Sequence, residues 1–271
     1  MPDSNRLRGR PKSFDGKAAE KNTIQSLGGA LDVLDVLAES DGLTLSEISS
    51  SLSRSPSTIY RILNTFAQRQ VVEIDPALQT WFIGPKAFRL GSSFLRRSSI
   101  LERARPIMRT LMEDIGETAN LGIEKSDTVL FVSQVESRET IRAFFPPGTQ
   151  SPLHASGIGK ALLSLYSADR LDRLLRKQDR ENFTQQTIVD ADAIRRELAI
   201  IRNRGYAVDN EEREVGMRCI AASIVNNFGE TVAGISVSGP TNRMTKDRFD
   251  HIGQRVSDAA LTLSRGLGAT V

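Results

Sequence analysis

Apolar positions in the first third of the chain recur every three or four residues, the spacing that puts them on one face of a helix. Leu27, Ala30, Leu31, Leu34 and Leu37 form a first such stripe, closed near Asp41-Gly42, and the pattern predicts that this stripe packs into a helical core. Leu45, Ile48 and Leu52 form a second, opened by Thr44 and Glu47 at capping-box spacing. A polar turn through Ser53 and Arg54 ends it. Ser55 as N-cap and Pro56 at the first helical position start a third helix, whose buried stripe is Ile59, Ile62, Leu63 and Phe66. The period then shortens. Residues 71–74 and 81–83 read as two short strands around a turn at Asp75-Pro76. Helix, turn, helix and hairpin in this order predict a winged helix-turn-helix.

Beyond Gly84-Pro85 the chain reads helical again over residues 86–97, a candidate linker helix and dimer contact. A long amphipathic helix follows, with Ile100, Leu101, Ala104, Ile107, Met108, Leu111 and Ile115 on its apolar face. Strand-like runs are expected at residues 118–124, 128–135 and 141–145, the last closed by Pro146-Pro147-Gly148. Helices are expected at 156–165, 168–176 and 191–204. Two late strands, 218–225 and 231–238, flank the turn Asn227-Phe228-Gly229-Glu230, and a last helix covers 245–267. Hairpins mixed with helices predict an α+β domain with an antiparallel sheet. The expected organisation is a disordered basic tail (1–20), a winged domain (21–84), a linker helix (85–105) and a second domain (106–271).

Composition narrows the classes. The 271 residues suffice for two cores, and the single cysteine, Cys219, excludes an internal disulfide framework and points to a reducing cytosol. No apolar run approaches the ~18 residues of a membrane span, and the polar, basic N-terminus is unlike a secretory signal. The expectation is a cytoplasmic protein with no membrane partner. Net charge is only +3, but it is unevenly placed. Lys86, Arg89, Arg96, Arg97, Arg103, Arg105 and Arg109 face a single acid, Glu102, within residues 86–109, and residues 1–21 are also rich in Arg and Lys. Positive charge thus flanks the winged module, which suits nucleic acid and suits an ordinary solvated face as well.

The third helix leaves Ser57, Thr58, Tyr60, Arg61 and Asn64 off its apolar stripe, mostly in the first two turns, where a recognition helix meets base edges in the major groove. Arg pairs with guanine and Asn with adenine, and hydroxyls reach bases or phosphates. The hydroxyls at the two helix starts, Thr44 and Ser55, join this candidate DNA-binding set. In the tail, Arg8-Gly9-Arg10-Pro11 is similar to the core of an AT-hook, with Arg8 and Arg10 suited to a narrow minor groove; a solubilising tail reads equally well.

Two stretches of the second domain concentrate small and polar residues. Leu153-His154-Ala155-Ser156-Gly157-Ile158-Gly159-Lys160 opens a helix whose free amides suit an anion, or is an ordinary capped helix with close-packing glycines. On the late strands, alternation places Ser236 and Ser238 on one face beside Gly234, and Cys219 and Ala221 on one face of the partner, after an acidic turn Asp209-Asn210-Glu211-Glu212. Such a face leaves room for a small molecule, or is a satisfied polar face under a helix.

The run Gly205-Tyr206-Ala207-Val208-Asp209-Asn210-Glu211-Glu212, with Gly216 and Cys219-Ile220-Ala221-Ala222, resembles the signature of the isocitrate-lyase-regulator (IclR) family of bacterial transcription factors. Residues 153–161, Ile235-Ser236-Val237-Ser238-Gly239-Pro240 and Thr58-Ile59-Tyr60-Arg61-Ile62-Leu63 support it, so the resemblance spans about residues 25–268. Gln70 stands where members usually carry a glycine before the wing, and Ser223 where a proline commonly follows Ala-Ala. The resemblance implies a winged helix-turn-helix, a linker helix and a GAF-like effector domain, homodimers that often pair into tetramers, and operator DNA as partner. It further implies a small organic-acid or aromatic effector held by Gly157 and Ile158 (backbone amides), Asp209, Cys219, Ser236 and Ser238.

Amides at a helix start suit a carboxylate, whereas an ionised Asp209 repels one and accepts from a hydroxyl. A short 2-oxo acid such as hydrated glyoxylate, or a small hydroxy acid, fits both, and the scarcity of aromatics among these residues disfavours an aromatic effector. No catalysis and no cofactor are expected. The rival readings are a cysteine hydrolase built on Cys219, His154 and Asp209, in which Arg218 points away from the thiol, and a sensor that binds a protein instead of DNA. With only His154, His251 and one cysteine, no ligand pair has metal spacing.

Overall fold

In the computed structural model, residues 24–96, 99–176 and 180–270 are described. The chain divides into two compact units, Met1–Phe94 and Leu95–Val271.

The first unit builds a small core from Val33, Leu37, Ile48, Ile59, Leu63, Val72 and Trp81. Helix α1 (Gln25–Ala38) is followed by a short strand β1 (Leu43–Thr44), helix α2 (Leu45–Ser51) and helix α3 (Pro56–Gln68). Strands β2 (Val72–Asp75) and β3 (Thr80–Ile83) form the wing, and β1, too short to register as a period, adds to β3 in a three-stranded antiparallel sheet. The stripe expected for α1 is corrected here. Its buried positions are Gly29, Val33 and Leu37, while Leu27 and Leu31 lie more than half exposed. A small residue, Gly29, seats the helix against its neighbours; Leu27 and Leu31 face outward, while Leu34 packs against the core and Leu37 lies in it as expected.

Both turns that follow α2 and α3 are Schellman motifs. After α2, Ser53 sits at φ 50° and Arg54 N–H donates to Ser49 O at 3.1 Å. After α3, Gln70 sits at φ 59°, its N–H donates to Ala67 O at 2.9 Å, and Val71 N–H donates to Phe66 O at 2.9 Å. Gln70 therefore occupies the left-handed seat that glycine takes most cheaply. Helix α4 (Pro85–Arg96) leaves the wing with Phe88 largely exposed.

The second unit opens with α5 (Ser99–Ile115) and is built on a six-stranded antiparallel sheet. The strands are β4 (Thr118–Lys125), β5 (Thr128–Val135), β6 (Gln150–Pro152), β7 (Ala207–Asn210), β8 (Met217–Val225) and β9 (Thr231–Pro240), in the order β6-β5-β4-β9-β8-β7. Between them come α6 (Gly157–Ser164), α7 (Ala168–Leu175) and α8 (Ala191–Arg204), and α9 (Phe249–Gly266) follows a short 3₁₀ turn at Lys246–Arg248.

Strand alternation sorts the two faces. Ala119, Leu121, Ile220, Ala222, Ile224, Ala233, Ile235 and Val237 bury against α5 and α9. Val129, Phe131, Ala207 and Ala221 bury against α6, α7 and α8. Two expectations fail. Residues 141–145 form no strand; with Pro146 and Pro147 next in line, the edge pairing of β5 passes to Gln150–Pro152. Asp209 and Asn210 lie on β7 and not in a turn, because β8 carries partners for both, Cys219 and Arg218.

Candidate functional site

In the first unit, Ser55 caps α3: its hydroxyl accepts from Thr58 N–H at 3.3 Å and lies 2.8 Å from the Thr58 hydroxyl and 3.2 Å from that of Ser57. Ser57, Thr58, Tyr60 and Arg61 are exposed on one side of α3 and Asn64 is half-buried, while Ile59 and Leu63 fill the core opposite. The Thr44 hydroxyl is already committed, donating to the Glu47 carboxylate at 2.7 Å in a complete capping box. Arg54 is likewise engaged, by Asp32 at 2.9 Å. Arg8 and Arg10 lie outside the described residues.

In the second unit, the face of the sheet under α6 carries a polar row. Register sets Asp209 beside Cys219, Cys219 beside Ser238, and Ser238 beside Thr118. The next row is Ala207, Ala221, Ser236 and Asn120. Asn120 donates to the Ser238 hydroxyl at 3.3 Å and accepts from Gln134 at 3.1 Å. The Ser236 hydroxyl is fully buried and closes no hydrogen bond of ordinary geometry. Its neighbour is the Cys219 thiol, a weak partner that leaves the hydroxyl able to take a stronger one.

Helix α6 sits with its first turn on this row. Gly157 makes the approach possible: a Cβ there would lie 2.7 Å from the Cys219 sulfur. Ser156 caps the helix, accepting from Gly159 N–H at 3.1 Å. The Ile158 side chain packs onto Gly122 and Gly234, so only its backbone amide can serve a ligand. The six effector residues expected from sequence thus converge, with Gly157 and Ile158 above and Asp209, Cys219, Ser236 and Ser238 below.

Burial sets the protonation states. Desolvation, followed by the nearby Glu212 carboxylate, pushes Asp209 up from 3.8 to about 7, against the pull of Lys160 and of the Glu212 and Arg213 amides. Desolvation and Asp209 together push the Cys219 thiol up to about 11, with Ser238, Ser236 and the Gly157 amide offsetting part of the rise. The site therefore holds a neutral thiol and, below neutral pH, a neutral carboxylic acid that can donate to an anion. Beside it Lys160, nearly fully buried, donates to Val208 O at 2.6 Å, pairs with Glu212 and lies 3.6 Å from Glu197.

Sequence reasoning missed four contributors. Lys160 and Glu212 lie inside motifs quoted from the sequence, which assigned neither a role. Phe145 lines the small cavity beside Asp209, Cys219 and Ser238, which removes the argument from scarce aromatics. Arg213 lines it too, and no periodicity marks it. The cavity itself measures about 20 Å³, room for roughly one water. A wider cleft of about 350 Å³, lined by His154, Phe183 and Arg213 among others, opens next to it. Among the described residues, no group of His, Cys, Asp and Glu could hold a metal, and no helix is long and apolar enough to cross a membrane.

A helix-turn-helix unit with its polar recognition face outward, joined to a sheet domain with buried ligand-type polarity, defines a DNA-binding regulator with an effector domain. Sequence profiles agree: "IclR helix-turn-helix domain" matches residues 26–76 and "Bacterial transcriptional regulator IclR C-terminal" matches residues 92–265. The chain belongs to the IclR family of transcriptional regulators. It is 54% identical to the HTH-type transcriptional regulator BhcR of Paracoccus denitrificans over 97% of this chain and 95% of that protein. The repressor AllR of Escherichia coli K12 is 37% identical over 97% of both chains. The crystal structure of Thermotoga maritima IclR superposes with a TM-score of 0.78 at 28% identity, covering 91% of this chain and all of that one. An IclR homologue from Microbacterium hydrocarbonoxydans, complexed with 4-hydroxybenzoate, shares the fold with a TM-score of 0.77 at 22% identity, over 90% of this chain and 99% of that one.

Proposed function

We propose that this regulator binds operator DNA through α3 as a homodimer or a dimer of dimers, and that a short carboxylic acid in the α6 cavity controls that binding. On this reading Ser55, Ser57, Thr58, Tyr60, Arg61 and Asn64 face the major groove, and Arg8 and Arg10 follow the minor groove alongside. Thr44 contributes through the helix start it caps. One of the named relatives, AllR, is a repressor, which favours repression as the sign of the effect.

The observation that carries the effector reading is the buried polar row under Gly157, with a Ser236 hydroxyl whose polar neighbour is the Cys219 thiol. A carboxylate there meets the Gly157 and Ile158 amides and the positive end of α6. Asp209, about half protonated at pH 7 and mostly neutral by pH 6, donates to the ligand in its neutral form instead of repelling it. Glyoxylate, or a similar short 2-oxo or hydroxy acid, matches this polarity, and a cavity with room for roughly one water opens least for the smallest acids. Phe145 on the cavity wall gives a second reading, an aromatic acid, some substance. Cysteine-dependent hydrolysis is disfavoured, because the thiol is held far above neutral and His154 Nε2 is engaged by Glu181 O at 2.9 Å.

Calorimetric titration of the full chain with glyoxylate, pyruvate and 4-hydroxybenzoate tests the reading. Binding of the short acids, lost in Ser236→Val, is expected; silence toward glyoxylate and pyruvate with tight binding of the aromatic acid would reject it. For the DNA face, Arg61→Ala is expected to weaken operator binding by about 1–3 kcal/mol in a gel-shift titration.

A further inference from the structure

The two cavities of the second unit share one side chain. Arg213 lines the inner cavity of about 20 Å³ and also the outer cleft of about 350 Å³. Its main chain is fixed. The turn that carries it is held by Asp209, whose carboxylate accepts from Glu212 N–H at 2.8 Å. Thr184 and Thr187 hydroxyls hold the same turn from outside, donating to Glu211 O at 2.7 Å and Glu212 O at 2.6 Å. The guanidinium is held differently. It lies over the Phe183 ring at 4.0 Å from the centroid, and no carboxylate among the described residues forms an ion pair with it. An anchored backbone thus carries a long side chain that rests on one aromatic face, a contact of about 0.5–1 kcal/mol where solvent reaches it. Swinging it aside breaks little else.

We propose that the Arg213 side chain is the partition between the two cavities, and that it determines which sizes of acid the inner site accepts. With Arg213 on Phe183 the inner cavity has room for roughly one water, so even a two- or three-carbon acid enters only with a small shift of the guanidinium. An aromatic acid needs the partition fully swung out, so that its ring lies in the outer cleft, whose volume is that of ordinary ligand pockets. Removing the side chain merges the two spaces and relaxes selectivity toward large acids. This inference rests on the inner cavity being the effector site, but its first test does not need an effector.

Cys219 lines the inner cavity and is the chain's one cysteine, so the full-length protein carries its own reporter of access. Alkylation rate constants are measured at one pH with a small reagent, iodoacetamide, and a bulky aromatic one, N-phenylmaleimide. In Arg213→Ala the aromatic reagent is expected to react on the order of tenfold faster and the small reagent less than about threefold faster, because thiol reactivity follows access at a fixed thiolate fraction. Phe183→Leu, which removes the aromatic rest without touching the anchored turn, is expected to move the ratio the same way. Equal acceleration of both reagents in both variants means a loosened domain and overturns the proposal; unchanged rates in both overturn it as well. Calorimetry with glyoxylate and 4-hydroxybenzoate then separates the two claims. A changed reagent ratio in a protein that binds no acid keeps the partition and removes the effector reading.

Discussion

Replacing Asp209 by asparagine should make the second unit more stable at pH 8, although Asp209 lies in the middle of the candidate site. Burial lifts its carboxyl from an ordinary 3.8 to about 7. A carboxyl raised on folding contributes stability that is complete below the unfolded value near 4 and lost as the pH rises toward 7. The gap between 3.8 and about 7 corresponds to about 4 kcal/mol once the native carboxylate is ionised. Asparagine carries no charge to desolvate, and its carbonyl can still accept from the Glu212 amide. Its amide group adds a buried donor without a partner, which costs about 1–3 kcal/mol. The net gain expected at pH 8 is about 1–3 kcal/mol, and it shrinks to nothing or reverses at pH 5. Scanning calorimetry of both full-length proteins from pH 5 to 8.5 measures this directly. The difference between them cancels the titration of His154, whose half-buried ring resists protonation and works in the opposite sense. Trp81, the only tryptophan, lies in the core of the winged unit, so its fluorescence identifies that unit's transition and leaves the other to the sheet domain. A gain of this size raises the sheet-domain midpoint by about 2–12 °C at pH 8. A difference between the two proteins that does not change with pH would refute the reasoning.

Lys160→Met should destabilise the same unit by about 3–5 kcal/mol in urea titrations, since Glu212 and Glu197 are left facing each other in a buried site; adding Glu212→Gln should restore much of the loss. Gly157→Ala should abolish acid binding by calorimetry while leaving operator affinity in gel shifts within about twofold, because the added methyl enters the space next to the Cys219 sulfur without touching α3. Gln70→Gly should raise the winged unit's stability by less than about 1 kcal/mol, the left-handed strain of a side chain being partly offset by glycine's entropy, and Trp81 fluorescence in urea would show it.

The helices and central strands were legible in the sequence because each is amphipathic at its own period. The capping box at Thr44 and the N-cap at Ser55 marked helix starts to the residue. The errors share a physical cause: local pattern does not see pairing or neighbours. Residues 141–145 have strand composition but no free edge, whereas Gln150–Pro152 has an edge and no strand composition. Leu27 and Leu31 have helical spacing, yet Gly29 and Val33 point inward because a small residue allows closer packing. For the site, Ser236, Ser238 and Cys219 could be found by alternation, and the strand register then set Asp209 beside them. Lys160, Glu212, Phe145 and Arg213 could not, since their importance arises only when α6, β7 and the 211–216 turn are folded together.

The central claim is that α3 holds DNA and that the cavity under α6 governs how firmly. It is tested most directly by titrating the purified chain onto the intergenic DNA upstream of its own gene at low salt, with and without millimolar glyoxylate. The account predicts specific binding whose affinity shifts on the order of tenfold with the acid, and no shift in Gly157→Ala. DNA binding that no short acid alters, or no binding to that DNA at all, would contradict it.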